Sequence, residues 1–385
     1  MQPDRPPVFH LNPSPTLGGA EVYTGFLAQA LQAMGWRNVV VAGRGARYWD
    51  GIQRGEVELR EHEFRLKDDI SGVPEGAVVC VHAPVPKGLM DRLARRYLVL
   101  GIGHQAVYSK SVPYYYGASH RLLPVSRHVA ATLRAAGFET VNDTPLLGVA
   151  DLQRKQAGSD ISRGPMVEWD RRKARDRLFA WCEPIVGRML PRRIFARRPG
   201  LTLGVVSRLA PLKQFPALFD SLMPVLQRQP DLNLEVFGSA IGYRALRELR
   251  AVLAPLGDRV RFWGFQADVA AVYAELDYLI TGLPEREALG LNVIEAQQCG
   301  TPVLAPDAPP FTETMIDGVT GYLYADPRTD GGAGFALALE RARAARPDPR
   351  LATAHLQQFS LQAFRERADS VFSAEIARHP AARHA

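Results

Sequence analysis

The sequence is poor in cysteine, and the three it has, Cys80, Cys182 and Cys299, stand far apart. They match no disulfide or metal-ligand spacing, which argues against a stapled scaffold or a cysteine metal site and suits a reducing, cytoplasmic setting. Long hydrophobic runs are also missing: no uninterrupted apolar stretch approaches the ~18 residues that cross a bilayer. The opening Met1-Gln2-Pro3-Asp4-Arg5-Pro6-Pro7 lacks the cationic-then-apolar layout of a secretion signal. Around Gly18-Gly19 there is no G-x-G-x-x-G, and the acid expected ~20 residues further on is absent, which counts against a nicotinamide dehydrogenase. Net positive charge is absent outside one segment. Residues 151–200 hold 13 Lys and Arg against 6 Asp and Glu, and this accounts for the whole formal net charge of +7. A local basic segment without interleaved stacking aromatics on strands does not make a nucleic-acid surface, so no nucleic-acid partner is expected.

What the chain has is length and rhythm. Its 385 residues exceed one ordinary core and suit two α/β domains. Short β-branched runs alternate with longer stretches of helical period, the pattern of doubly wound folds. Val39–Val41, Val78–Val81 and Leu98–Leu100 read as strands in the first half. Leu203–Val206, Leu234–Phe237, Val260–Phe262 and Pro302–Leu304 do so in the second. Val22, Phe26, Leu27, Ala30, Leu31 and Met34 predict a helix opening at Gly18-Gly19 and stopping near Gly35, and another is expected from Ala245 to Leu256. These patterns divide the chain into residues 1–155, a basic connection at 156–198, a second domain at 199–355 and a terminal helix within 356–385. In the connection, Leu178, Trp181, Cys182, Ile185, Val186, Met189 and Leu190 form an apolar stripe beside Arg171, Arg172, Lys173, Arg175 and Arg177, with Pro184 breaking it. Two readings stand: an amphipathic element on an anionic membrane, or a helix packed on the body with a solvated charged face.

The chemistry concentrates in the second half. In Glu287-Ala288-Leu289-Gly290-Leu291-Asn292-Val293-Ile294-Glu295, two carboxylates flank a glycine that opens a helix. Main-chain N–H groups near Gly290, Leu291 and Asn292 are suited to a phosphate, and Glu295, two turns inside, to the paired hydroxyls of a ribose. Arg208 and Lys213 follow the Leu203–Val206 strand, where an open α/β sheet places its ligand; a fork and a point charge suit a diphosphate. At Phe262-Trp263-Gly264 a strand runs into glycine, where main chain meets a flat base or simply forms a buried edge.

Taken in order, these pieces resemble the retaining glycosyltransferases of family 4, which have the GT-B fold. The resemblance rests on Ser207-Arg208-Leu209 with Lys213, Gly238, Gly264, Asp277, Pro284, Glu287 with Glu295, Gly300-Thr301-Pro302-Val303, and Asp317-Gly318 with Gly321. It covers about 120 residues. It departs from the family pattern at Leu289, at Leu283-Pro284-Glu285 and at the bulky Ala308-Pro309-Pro310-Phe311-Thr312-Glu313 loop, the last bearing on the sugar pocket. In the first half, Leu17-Gly18-Gly19-Ala20-Glu21 resembles the family's glycine-rich loop, Gly103-His104 its cleft histidine, and Pro124-Val125-Ser126 its strand before an exit helix. His82 is placed like His104 but carries the resemblance less well. Residues 359–376 are similar to the family's terminal helix, which crosses back onto the first domain.

The resemblance implies an α/β, GT-B architecture, two Rossmann-like domains whose parallel sheets face a central cleft. It implies an acceptor-side first domain, a nucleotide-sugar-binding second domain, and transfer from a nucleotide sugar with retention to a saccharide or lipid-linked acceptor. Glu287 and His104 become the expected catalytic residues. Gly18, Gly19, Arg208, Lys213, Gly290, Leu291 and Asn292 are expected at the diphosphate, and Glu295, Phe262, Trp263 and Gly264 at the nucleoside. Asp-x-Asp occurs nowhere in the chain, so no metal site and no cofactor beyond the nucleotide-sugar substrate is expected, and protein cations and helix ends must meet the leaving charge. The basic, apolar-striped segment points to a lipid-linked acceptor, as in bacterial surface polysaccharide or lipopolysaccharide synthesis, in a cytoplasmic setting with segment 163–198 open to an anionic membrane at its inner face. An epimerase of the same fold, or a binding partner that keeps the fold without turnover, remain the alternatives.

Overall fold

A computed structural model describes residues 5–15, 17–52, 54–65, 69–109, 112–149, 152, 161–169, 181 and 193–379. The chain divides into two compact units, Met1–Ala150 with Gln357–Ala385, and Asp151–Leu356. Of the apolar stripe in the connecting segment, only Trp181 falls among the described residues, and it is exposed; the rest of that expectation lies outside them.

The first unit holds β1 (Val8–Asn12), β2 (Asn38–Gly43), β3 (Glu58–His62), β4 (Val78–Val81), β5 (Leu98–Gly103) and β6 (Arg121–Pro124). They form one sheet of order β3-β2-β1-β4-β5-β6, parallel throughout. This is the doubly wound order, whose direction reverses between β1 and β4. The expected first helix runs from Gly19 to Ala33, and Gly35 ends it at a positive φ of 86° while Trp36 N–H reaches back to Leu31 O over 3.0 Å. The terminal helix Leu361–Arg378 packs on that first helix. Trp36 Nε1 donates to Asp369 Oδ1 (2.7 Å), and Asn142 Nδ2 to the buried Glu375 Oε1 (2.6 Å).

The second unit repeats the order. Its sheet comprises β8 (Leu201–Val206), β9 (Leu232–Phe237), β11 (Val260–Gly264), β12 (Tyr278–Ile280), β13 (Val303–Pro306) and β14 (Gly321–Tyr324), arranged β11-β9-β8-β12-β13-β14, again parallel. A short pair, β7 (Val167–Glu168) with β10 (Ala240–Ile241), lies beside it. Strand side chains alternate between two cores: Leu203, Val205, Leu234, Val236 and Leu304 enter one, and Val206, Phe237, Leu279, Val303 and Ala305 the other. The two-residue period of a strand covered by helices on both faces gives this alternation. Gly204 lacks a side chain because a Cβ there would meet Leu276 at 2.2 Å.

The second helix expected at Ala245–Leu256 begins at Gly242 and ends at Leu253, because Pro255 diverts the chain into a tight turn over Ala254–Arg259. β1 was not legible as a strand. His10 and Asn12 interrupt its apolar run, yet both are fully buried.

Candidate functional site

In the second unit, β8 and β12 are neighbours where the strand order reverses, the place where an open parallel sheet leaves a crevice at its carboxyl ends. The loop after β8 carries Arg208 and then Lys213; the loop after β12 carries Glu287 and leads to helix Leu291–Gln298. Gly290 caps that helix at φ 80°, a left-handed conformation that favours glycine. The first N–H groups of the helix, at Leu291 and Asn292, have no intrahelical acceptor by geometry and carry its positive end. Asn292 Nδ2 donates to Val206 O (3.2 Å), tying this helix start to the last residue of β8.

Lys213 Nζ forms an ion pair with Glu287 Oε2. Gly282 gives Lys213 its place, since a Cβ at 282 would stand 2.2 Å from Lys213 O. Glu295 accepts from Tyr273 Oη at 2.9 Å. Desolvation raises its carboxyl to about 7, while the Tyr273 hydrogen bond and the Lys213 charge pull the other way. One lysine therefore acts electrostatically on both glutamates of the Glu-x7-Glu motif. Arg208 Nη1 lies 3.7 Å from Glu168 Oε2 on β7, and Glu168 in turn accepts from Ser239 Oγ (2.7 Å).

The strand-to-glycine passage takes the form of a buried edge, one of the two readings of its sequence. The Trp263 indole is buried and donates Nε1–H to Glu235 Oε2 (2.7 Å). Glu235, itself buried, also pairs with Arg198 and Arg261 at 2.8 and 2.5 Å. Trp263 O accepts from Gly164 N–H (2.7 Å), and Gly264 O from Gly238 N–H (2.7 Å). A Cβ on Gly264 would meet Gly164 O and Pro165 O at 2.4 Å. The Phe262 ring packs on one core and lies under the Arg250 guanidinium at 5.2 Å. The polar groups of Trp263 and Gly264 are thus taken up within the protein, because residues 162–166 run along this sheet edge. Asp277 and Asp317 are tied to main chain: Asp277 Oδ2 accepts from Thr202 N–H (2.8 Å), and the exposed Asp317 accepts through Oδ1 from Leu323 N–H (2.9 Å).

Beside that edge, Arg163, Arg193, Arg250 and Arg261 line a cavity of about 350 Å³ with Val260, Phe262 and Trp263. Among the described residues, no carboxylate pairs with Arg163, Arg193 or Arg250. Burial and the Arg163 charge both hold Arg250 below the usual guanidinium range.

In the first unit, Gly18 is extended and caps helix Gly19–Ala33 without a side-chain hydrogen bond, so the first N–H groups of this helix also stand at the carboxyl end of β1. His104 follows β5 and His82 follows β4. His104 Nε2 lies 3.0 Å from His82 Nδ1, His82 Nε2 lies 3.1 Å from His10 Nδ1, and His10 Nε2 lies 3.2 Å from Asn38 Oδ1. Burial lowers His10 to about 4 and His104 to about 3; burial and the two neighbouring rings push His82 well below its ordinary value. All three are neutral at pH 7. The Tyr23 ring meets His104 edge-on at 5.1 Å between centroids. His10, Asn38 and Thr24, which touches His82 Nδ1 at 2.9 Å, have no counterpart among the residues singled out by sequence. The one available signal was a histidine inside an apolar strand pattern.

Among solved structures, the Anabaena HepE protein with UDP and glucose aligns with a TM-score of 0.68, over 96% of this chain and 100% of its own, at 18% identity. Two doubly wound parallel sheets in one chain, with this likeness, define the class: the GT-B fold expected from the sequence. Residues 200–342 match the sequence model of a family described as Glycosyl transferases group 1. The D-inositol 3-phosphate glycosyltransferase of Actinosynnema mirum is 37% identical over 143 residues, 34% of this chain and 34% of the relative. The lipopolysaccharide core biosynthesis mannosyltransferase LpsB of Rhizobium meliloti is 32% identical over 121 residues, 30% of this chain and 34% of the relative. The chain matches about a third of the length of these relatives.

Proposed function

We propose that this protein is a glycosyltransferase that moves a sugar from a nucleoside-diphosphate sugar to a saccharide or glycolipid, with retention and without a metal ion. The observation that carries the reading is the convergence of Lys213, Glu287, Glu295 and the helix start at Gly290 on the β8/β12 reversal of a GT-B sheet. On this reading Arg208, Lys213 and the N–H groups of Gly290, Leu291 and Asn292 take the negative charge that grows on the diphosphate as the sugar C1–O bond breaks. Glu295 accepts the ribose hydroxyls, and Glu287 positions the donor sugar through the lysine it already holds. In the first unit, Gly18 and Gly19 offer N–H groups to phosphate, and His104 offers a ring nitrogen to the sugar or the acceptor. The acceptor oxygen attacks C1 from the face the diphosphate leaves, and its proton departs with the diphosphate. No cofactor enters.

The acceptor class draws support from relatives named for lipopolysaccharide core and phosphatidyl-myo-inositol, and from a neighbour named as a lipopolysaccharide galactosyltransferase. The arginine-lined cavity beside β11 suits an anionic group. A peripheral position at an anionic membrane, through segment 163–198, belongs to this proposal. No helix among the described residues is long and apolar enough to cross a membrane.

The test is a panel of nucleotide sugars scored by thermal shift, donor hydrolysis and transfer to glycolipid extracts, with and without chelator. Transfer that survives chelation, with the anomeric configuration of the donor kept, is expected. Interconversion of the donor without an acceptor would make the protein an epimerase. Binding without turnover of any donor would leave a non-catalytic partner.

A further inference from the structure

The buried histidine chain of the first unit has a direction that its hydrogen-bond chemistry fixes. Asn38 Nδ2 donates to Trp36 O over 2.9 Å, and a main-chain carbonyl can only accept, so the other amide atom, facing His10, is the oxygen. His10 Nε2 must therefore carry a hydrogen. A neutral imidazole has one N–H, so His10 Nδ1 is a bare acceptor and His82 Nε2 must donate to it. His82 Nδ1 is then bare, and His104 Nε2 must donate to it. The Thr24 hydroxyl, 2.9 Å from the same nitrogen, has one hydrogen to share between His82 Nδ1 and Ala20 O at 2.8 Å, and its oxygen accepts from Asn12 Nδ2. With that hydrogen on Ala20 O, Thr24 Oγ would face a bare His82 Nδ1 lone pair to lone pair, so Thr24 donates to His82 Nδ1 and shares this acceptor with the His104 Nε2–H. The opposite polarity would set His10 Nε2 and Asn38 Oδ1 lone pair against lone pair in a sealed core, an expensive arrangement.

We propose that Asn38, His10 and His82 are positioning residues that hold His104 as its Nε2–H tautomer, presenting Nδ1 as a hydrogen-bond acceptor to a hydroxyl of the bound carbohydrate. His104 is the half-buried end of the chain of rings, and its Nδ1 makes no hydrogen bond among the described residues. An acceptor there selects for a ligand group that carries a hydrogen, a sugar hydroxyl, and against a ligand carboxylate or phosphate oxygen. The carbohydrate half of this inference rests on the glycosyltransferase reading; the tautomer half does not.

The experiment is the nitrogen spectrum of the whole chain labelled with ¹⁵N-histidine, assigned with His104→Gln and read at neutral pH without ligand. The expected result is an unprotonated Nδ1 and a protonated Nε2 for His104. In Asn38→Leu the anchor is gone and His104 populates both tautomers, whereas Asn38→Asp, still an acceptor, keeps one. A proton on His104 Nδ1 in the native chain would overturn the proposal, and so would an unchanged spectrum in folded Asn38→Leu. Transfer kinetics supply the second arm. Asn38→Leu is expected to lose at least about twofold in kcat/KM, in proportion to the wrong tautomer, with Asn38→Asp near the native rate. Equal rates in the face of a mixed tautomer would remove the carbohydrate role. If the native chain turns over no nucleotide sugar, the functional reading fails, and the spectrum still decides the tautomer.

Discussion

Lys213 and Glu287 form an ion pair although 74 residues separate them. The pair joins the loop after β8 to the loop after β12, adjacent strands of one sheet. On the proposed reading it keeps a cation fixed in the free protein where the diphosphate binds, so less side-chain ordering remains to be done on binding. A ligand phosphate would share this lysine with Glu287, whose own position is then coupled to the donor.

Lys213→Ala and Glu295→Ala should each lower transfer by about 10- to 100-fold, the range expected for losing a hydrogen bond to a charged group. Circular dichroism should match the native chain, since neither side chain belongs to the two hydrophobic cores. Native rates in both variants would remove the site assignment.

Nucleotide binding should strengthen as pH rises through 7. Burial lifts the Glu295 carboxyl to about 7, and ribose hydroxyls need the ionised form to donate to. Between pH 6 and pH 8 affinity is expected to rise about tenfold, and Glu295→Gln should flatten that rise. Folding moves the other way. Between its ordinary value near 4.5 and 7, the group holds its proton when folded and loses it when unfolded, so its contribution is complete below 4.5 and gone by 7. Isothermal titration across this range decides the first statement, and an affinity independent of pH would contradict it.

Acid should destabilise the first unit. His10, His82 and His104 take protons near 6.5 when unfolded but resist them when folded, so their contribution is full above 6.5 and declines as pH falls toward 4. Each should cost about 1.4 kcal/mol per pH unit in that window. Urea unfolding at pH 7 and pH 5 should show a smaller acid loss in His10→Gln than in the native chain; equal losses would count against the buried chain.

Trp263→Phe should lower stability by about 1–3 kcal/mol, because one hydrogen bond to the buried Glu235 disappears. Nucleotide affinity should hold within about twofold, as the indole faces the core and its carbonyl is already bonded. A tenfold loss of affinity at native stability would return Trp263 to the nucleoside site.

By itself the sequence determined the fold class and the order of the second unit's motifs. Alternation of strand and helix periods requires layered α/β packing, and the Gly290 helix start with its two glutamates is a local pattern, readable wherever it sits. Only the tertiary structure decided which residues meet. His10 lies 72 residues from His82 and was hidden because a polar residue breaks an apolar strand pattern, yet the sheet order sets β1 beside β4 and brings the rings together. At Phe262-Trp263-Gly264 the sequence left open whether main chain meets a base or forms a buried edge; the alternation of β11 sends the Trp263 indole into the core toward Glu235 on β9. Spacing along a chain fixes the face and period of one element; the partner across a parallel sheet depends on crossovers, and those are settled by packing.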